Sequence, residues 1–403
     1  MPALGLCRRT IPPTLRPSRT FSAMANSNSI TRRQWMLRSG ATLAGVALSS
    51  RLLNFEAQAQ LTPERLAAVA PSKARLSLNE NPFGPSPAAL AAMTSALAAG
   101  KACRYAYGEV AELIELIAKK EGVTPDHIVL GIGSGEILET VAVHFGLQKG
   151  EAIYASPGYL QLPTAIQTAG GTAVPIALNS RQEHDLAAMA AAVKGPTSVV
   201  YVANPHNPTG TVVDRAQLKA FVEEVSAKAF VLVDEAYLDI ADDYAGRTVV
   251  GLVREGRNLL VARTFSKIYG LAGMRIGYGV TSPKIAATLR RYGLGMLAHP
   301  SVLAAIASLK DEGYVAATRA KIVAEKNKLT ALLRELGRPY ADSQTNFVFF
   351  QTGRPHAQVQ AGMRQEGVAI ARAFPPMNDW ARLSIGLPEE NELARAALRK
   401  VLS

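Results

Sequence analysis

The sequence predicts an α/β protein with a mostly parallel central sheet, helices on both faces, and a smaller α+β domain toward the C-terminus. Two observations predict it. Short β-branched runs alternate with amphipathic stretches through the middle of the chain, as required when each parallel strand returns through a crossover helix. Near residue 300 this alternation gives way to long helical patterns and three further short apolar runs. The length agrees. A chain of 403 residues buries a large core in one or two domains, and 48% apolar against 19% charged residues marks it as globular.

Taken in order, the chain opens on a basic leader. Residues 1–60 carry eight arginines against Glu56 alone, so of the formal +12 the remaining chain keeps only +5. That remainder is dispersed, with no basic helix interleaved with aromatics, which argues against a nucleic-acid partner. Arg32 and Arg33 stand just before a charge-free stretch, Ser39 to Ser50, and Ala57-Gln58-Ala59 closes the segment. Twelve residues are too few to span a bilayer. The leader resembles a twin-arginine export signal, which predicts a folded precursor and a periplasmic mature chain beginning near Gln60, the cytoplasm being the alternative. Met24 is then a plausible start. Only Cys7 and Cys103 occur and the six histidines are scattered, so neither an internal disulfide nor a metal site is expected.

After the leader (1–59), residues 60–90 are expected to pack near the small domain, 91–295 to form the large domain, and 296–403 the small one. The strands of the large domain are "HIVLGIG", "AIYAS", "TAVPIAL", "SVVYVAN", "AFVLVDEAY", "NLLVARTF" and "RIGYGVT"; those of the small domain are "NFVFFQT", "VAIAR" and "RLSIGL". Ligands of open α/β sheets sit beyond the carboxyl ends of strands. Polar side chains accumulate there: Ser134, Tyr159, Asn207, Asp234 and Lys267.

"GIGSGEILETV" ends a strand and starts a helix at once, leaving the N–H groups of Ser134 and Gly135 free to cradle a phosphate. The hydroxyls of Thr264 and Ser266 and the fork of Arg275 form a second anion set. No complete G-x-G-x-x-G and no Walker lysine is present, which disfavours a dinucleotide or ATP. Phosphate ligands beside Lys267, a lysine flanked by apolar residues, suit a phosphorylated aldehyde cofactor, pyridoxal 5′-phosphate. Asp234, Tyr159, Asn207 and Tyr237 have the types needed to meet its ring nitrogen, ring face and ring oxygen.

The motifs "NPHNPTG", "VDEAY" and "TFSKIYGLAGMRIGY", with "LNENPFGPSP" near the start, resemble the fold-type I pyridoxal-phosphate aminotransferases, most closely the histidinol-phosphate aminotransferase branch. The resemblance covers about residues 73 to 400. It implies that Lys267 condenses with the cofactor and then moves the proton of the substrate Cα. By the same resemblance Asp234 pairs with the pyridine nitrogen, Asn207 and Tyr237 bond the ring oxygen, and Tyr159 stacks on the ring. Tyr105 reaches the phosphate of a neighbouring subunit, implying a homodimer. Arg382, Arg372 and Asn81 bind substrate, with Arg382 gripping a carboxylate. The implied reaction moves an amino group between an L-amino acid, or a histidinol-phosphate-like amine, and a 2-oxo acid such as 2-oxoglutarate. A lyase on the same scaffold, a relative of phosphothreonine decarboxylase, is the alternative; a regulatory binder would have lost the lysine. Where the branch reads Tyr-Pro-Asp this chain has Tyr105-Ala106-Tyr107, and "FPPMNDW" follows Arg372, so a phosphorylated substrate stays open.

Overall fold

Seven strands form the central sheet of the computed structural model, which describes residues 72–292 and 295–403. Arg32, Arg33 and the Ala57-Gln58-Ala59 segment lie outside the described residues. Strand β1 (Ala74–Leu76) stands apart from this sheet, which holds β2 (Ile128–Gly131), β3 (Glu151–Ser156), β4 (Thr172–Ala177), β5 (Ser198–Ala203), β6 (Phe230–Asp234), β7 (Leu259–Thr264) and β8 (Gly277–Thr281). Their spatial order is β2-β8-β7-β6-β5-β3-β4. All pairings are parallel except those of β8, which runs antiparallel to both β2 and β7. The connection from β7 to β8, residues 265–276, forms only the single helical turn Ala272–Met274 and no crossover helix, and β8 returns antiparallel beside β7. Two reversals cancel. The carboxyl ends of β2, β7, β6, β5 and β3 therefore share one edge.

Both faces are covered, so β5, β6 and β7 are buried at every position and mostly apolar. Val199, Tyr201, Leu232 and Leu260 pack with Ile137, Leu138, Leu162, Ile166 and Leu289 from helices Ser134–Gly146, Gln161–Thr168 and Pro283–Arg290. The alternate residues Val200, Val202, Val231, Val233 and Val261 face helices Tyr107–Glu121 and Arg215–Val225. Period-two alternation thus splits one strand between two cores.

Two small pairings complete the fold. Strand β1 runs parallel to β10 (Val368–Ile370), while β9 (Phe347–Gln351) and β11 (Trp380–Ser384) pair antiparallel. The described residues form one contact unit, so the smaller α+β region is not set apart from the sheet. Helix His299–Lys310, just past the expected boundary at 295/296, packs on helices Pro87–Ala98 and Tyr107–Glu121. Its residues Val302, Ala304, Ala305 and Ile306 join the continuous core that holds Leu113 and Ile117 as well as Phe347 and Leu398. Among the described residues no helix is long and apolar enough to cross a membrane.

Candidate active site

The shared carboxyl edge gathers the expected residues. At the end of β2 the chain passes through Gly133, at φ 75° and ψ 166°, into the helix beginning at Ser134. That backbone region is accessible almost only to glycine. A side chain at Gly133 would also stand 2.5 Å from Arg275 Nη2. No side chain caps this helix, so its first N–H groups, Ser134 and Gly135 included, are available to an anion. Opposite stands Arg275, which donates from Nη1 to Ser266 Oγ at 3.3 Å and to Ala272 O at 3.0 Å. Thr264 Oγ1 accepts the Ser266 N–H at 3.1 Å, tightening the turn that carries both hydroxyls. Uncapped helix, hydroxyl turn and guanidinium fit a phosphate dianion.

Lys267 is half-buried and has no carboxylate partner among the described contacts. Its ammonium donates to the carbonyls of Asn79 at 3.2 Å and Leu78 at 3.5 Å, and lies 5.3 Å from the centroid of the Tyr237 ring. Only weak acceptors would be given up if this nitrogen bonded an aldehyde carbon. Asp234 ends β6 and is buried. Its Oδ2 accepts from Tyr201 Oη at 3.0 Å and its Oδ1 from the Ala236 N–H at 3.1 Å. Burial pushes its carboxyl up to about 6, against the pull of those two bonds and of the Lys267 charge. A buried carboxylate with spare lone pairs is the partner a ring N–H requires.

Arg382, on β11, is buried between the rings of Phe347 and Phe374, 5.2 and 5.1 Å from their centroids. It donates from Nη1 to Asn207 Oδ1 at 2.5 Å and from Nη2 to Ser77 O at 2.9 Å, while its buried Nε has no partner among the described residues. The fork therefore keeps donors in reserve for a carboxylate, and burial lowers its pKa to about 10, leaving it charged at neutral pH. Arg372 lies over the Phe374 ring at 4.4 Å and donates to Ala373 O.

Three expected residues stand differently. Tyr159 is about one-third exposed at the rim, where its hydroxyl donates to Gln161 Oε1 at 2.5 Å; Gln161 in turn donates to Glu139. Tyr105 is 71% exposed, its ring 5.9 Å from that of Tyr107. Asn81 was expected to meet substrate, but its amide donates to Ile268 O at 2.7 Å and its Oδ1 accepts the Phe83 N–H at 3.0 Å. It braces the backbone beside Lys267.

Asn79 of the same motif is the residue sequence reasoning missed. Held at φ 57°, it donates to Tyr237 Oη at 3.0 Å and exchanges bonds with Ser384, and its carbonyl receives both Lys267 and Asn346. Four distant segments meet there. Nothing local marks it. Tyr201 was missed because strand register is not written in a strand's own residues.

Behind the site, on the other face of β7, Arg263 donates to Glu235 at 2.8 Å and lies 3.5 Å from Glu121, all three buried. Thr248 and the Val249 N–H also serve Glu235, and Tyr278 serves Glu121. This cluster ties the ends of β6 and β7 to helix Tyr107–Glu121.

The family model for aminotransferase class I and II matches residues 71–398. The chain is 36% identical over 335 residues to the histidinol-phosphate aminotransferase of Moorella thermoacetica, covering 82% of this chain and 85% of that one. It is 34% identical over 331 residues to an aromatic amino acid aminotransferase of Streptomyces avermitilis, covering 81% and 90%. The crystal structure of histidinol-phosphate aminotransferase from Sinorhizobium meliloti in complex with pyridoxal-5′-phosphate superposes with a TM-score of 0.75 at 29% identity, over 86% of this chain and 95% of that one.

Proposed function

The chain belongs to the class I and II aminotransferases and depends on pyridoxal phosphate, and we propose that it moves an amino group from a ring-bearing L-amino acid or histidinol-phosphate-like amine to 2-oxoglutarate. The observation that supports this is the convergence of Lys267, Asp234, Asn207 and the Arg275 turn on one sheet edge, with Arg382 bonded to Asn207. The ring preference rests on the two relatives, named for an imidazole-bearing amine and for aromatic amino acids.

When bound, the cofactor supplies an aldehyde that accepts the amino group and a pyridine ring that withdraws electrons. Ser134, Gly135, Thr264, Ser266 and Arg275 would hold its phosphate, and Asn207 and Tyr237 its ring oxygen. Tyr159 would cover the ring face, and Asp234 would keep the ring nitrogen protonated. Lys267, freed by substrate, would serve as the base for the proton of the substrate Cα, and Arg382 would hold the carboxylate.

Tyr105, exposed in a single chain, serves the neighbouring active site in a homodimer under this reading. The precursor is exported after folding, because a non-covalent phosphate cradle holds its cofactor only once folded. Fractionation finding only full-length enzyme in the cytosol overturns that part. For the reaction, purified enzyme is given a panel of amines with 2-oxoglutarate: glutamate formation, highest with ring-bearing amines and absent in Lys267→Ala, supports the reading. Carbon dioxide release, or full activity in Lys267→Ala, refutes it.

A further inference from the structure

Tyr201 has no place in the roles above, yet it is the side chain that bonds Asp234. It lies on β5, 3% exposed. Ala203 stands opposite Asp234 in the parallel ladder, and side chains repeat every two residues, so Tyr201 occupies the same face one step below. Its hydroxyl reaches along that face to Asp234 Oδ2 at 3.0 Å. We propose that Tyr201 is a positioning residue, whose phenol keeps the Asp234 carboxylate ionised and turned toward the pyridine nitrogen of bound cofactor.

The balance of forces on Asp234 supports this. Removal from water disfavours its charge, and a carboxylate deprived of donors would bind a proton at working pH. The groups facing it are Tyr201 from β5, Tyr159 from the turn after β3, and Lys267 from the turn after β7. Of these, Lys267 changes partners during the reaction, and so cannot hold Asp234 ionised throughout. Tyr201 is constant: burial and the Asp234 charge raise its pKa well above the usual phenol range, so it remains a donor wherever the enzyme works. Tyr201 and the Ala236 N–H take one lone pair on each oxygen, leaving another on each for a ring N–H.

This inference rests on Asp234 being the partner of the ring nitrogen, so the experiment separates the two. Apoenzyme of wild type, Tyr201→Phe and Asp234→Asn is titrated with pyridoxal phosphate from about pH 5 to about pH 8, and the ring-nitrogen resonance of isotope-labelled cofactor is recorded for each. Phenylalanine keeps the ring and removes one oxygen, so packing on β5 is preserved; matched thermal unfolding of the apoenzymes checks this. A bond to an ionised group corresponds to about one to two pH units in the titration of that group. The acid limb of cofactor capture should move up by about one pH unit in Tyr201→Phe, a roughly tenfold weakening on its acid side. The ring-nitrogen resonance should lie between those of wild type and Asp234→Asn. If Asp234→Asn loses the protonated resonance while Tyr201→Phe matches wild type in both measurements, the role of Tyr201 is refuted and that of Asp234 stands. If Asp234→Asn keeps the wild-type resonance, the role of Asp234 falls, and the inference with it.

Discussion

Replacing Arg382 by lysine keeps a positive charge and removes the planar fork. In the wild type the guanidinium bonds Asn207 Oδ1 and Ser77 O, is flanked by Phe347 and Phe374, and retains an unpartnered Nε. A lysine ammonium is a point charge and cannot hold both anchors while offering two parallel N–H groups to a carboxylate. One charge-assisted bond to substrate is lost, worth about 1.5–3 kcal/mol, or about one to two orders of magnitude in kcat/KM. The buried acceptor left at Asn207 or Ser77 costs about 1–3 kcal/mol in free and substrate-bound enzyme alike, so that part falls on stability. The contact is made with bound substrate as well as in the transition state, so the loss should fall mainly on KM. Steady-state kinetics should show it for the amino acid and for the 2-oxo acid, since each brings a carboxylate. An amine without an α-carboxylate should change by no more than about threefold in the amine half-reaction. Burial lowers the Arg382 pKa only to about 10, so the wild-type grip should persist up to that region. Retention of kcat/KM for the carboxylate substrates, or an equal loss with the carboxylate-free amine, would refute the assignment.

Two further outcomes are expected from the scaffold. Arg263→Met strands buried Glu235 and Glu121, and breaking such a pair costs about 3–5 kcal/mol. Glu235 is already pushed up to about 7 by burial, so its contribution is present below its unfolded value near 4.5 and is lost as pH rises through about 7. Without Arg263 its pKa rises further, and urea unfolding should show a larger deficit near pH 8 than near pH 5; a deficit independent of pH would contradict this. Gly133→Ala forces alanine into a backbone region that costs about 1–3 kcal/mol and crowds Arg275 Nη2. Apoenzyme should then bind pyridoxal phosphate about tenfold more weakly by fluorescence titration, and unchanged affinity would show that this turn does not hold the phosphate.

Strand identity, the ligand edge and its chemistry were legible in the residues themselves, because they depend on period and punctuation. Apolar runs ending at Ser134, Asn207, Asp234 and Lys267 announce a crevice at strand ends wherever the strands lie in the sheet. The position of Arg382 in "WARLSIG" was equally readable as motif. What tertiary structure decided is every feature that depends on register or on contact between distant segments. The antiparallel run of β8 follows from a connection that forms no crossover helix, and helix His299–Lys310 is placed by the helices it packs on, Pro87–Ala98 and Tyr107–Glu121. Asn79 and Asn81 are two residues apart in one motif; the fold turns Asn79 into the node of four segments and spends Asn81 on the backbone. Tyr201 reads as one more aromatic in a strand until the parallel ladder sets it a step below Asp234. Register is a relation between strands, set by the packing of both sheet faces at once, and no stretch of sequence carries it alone.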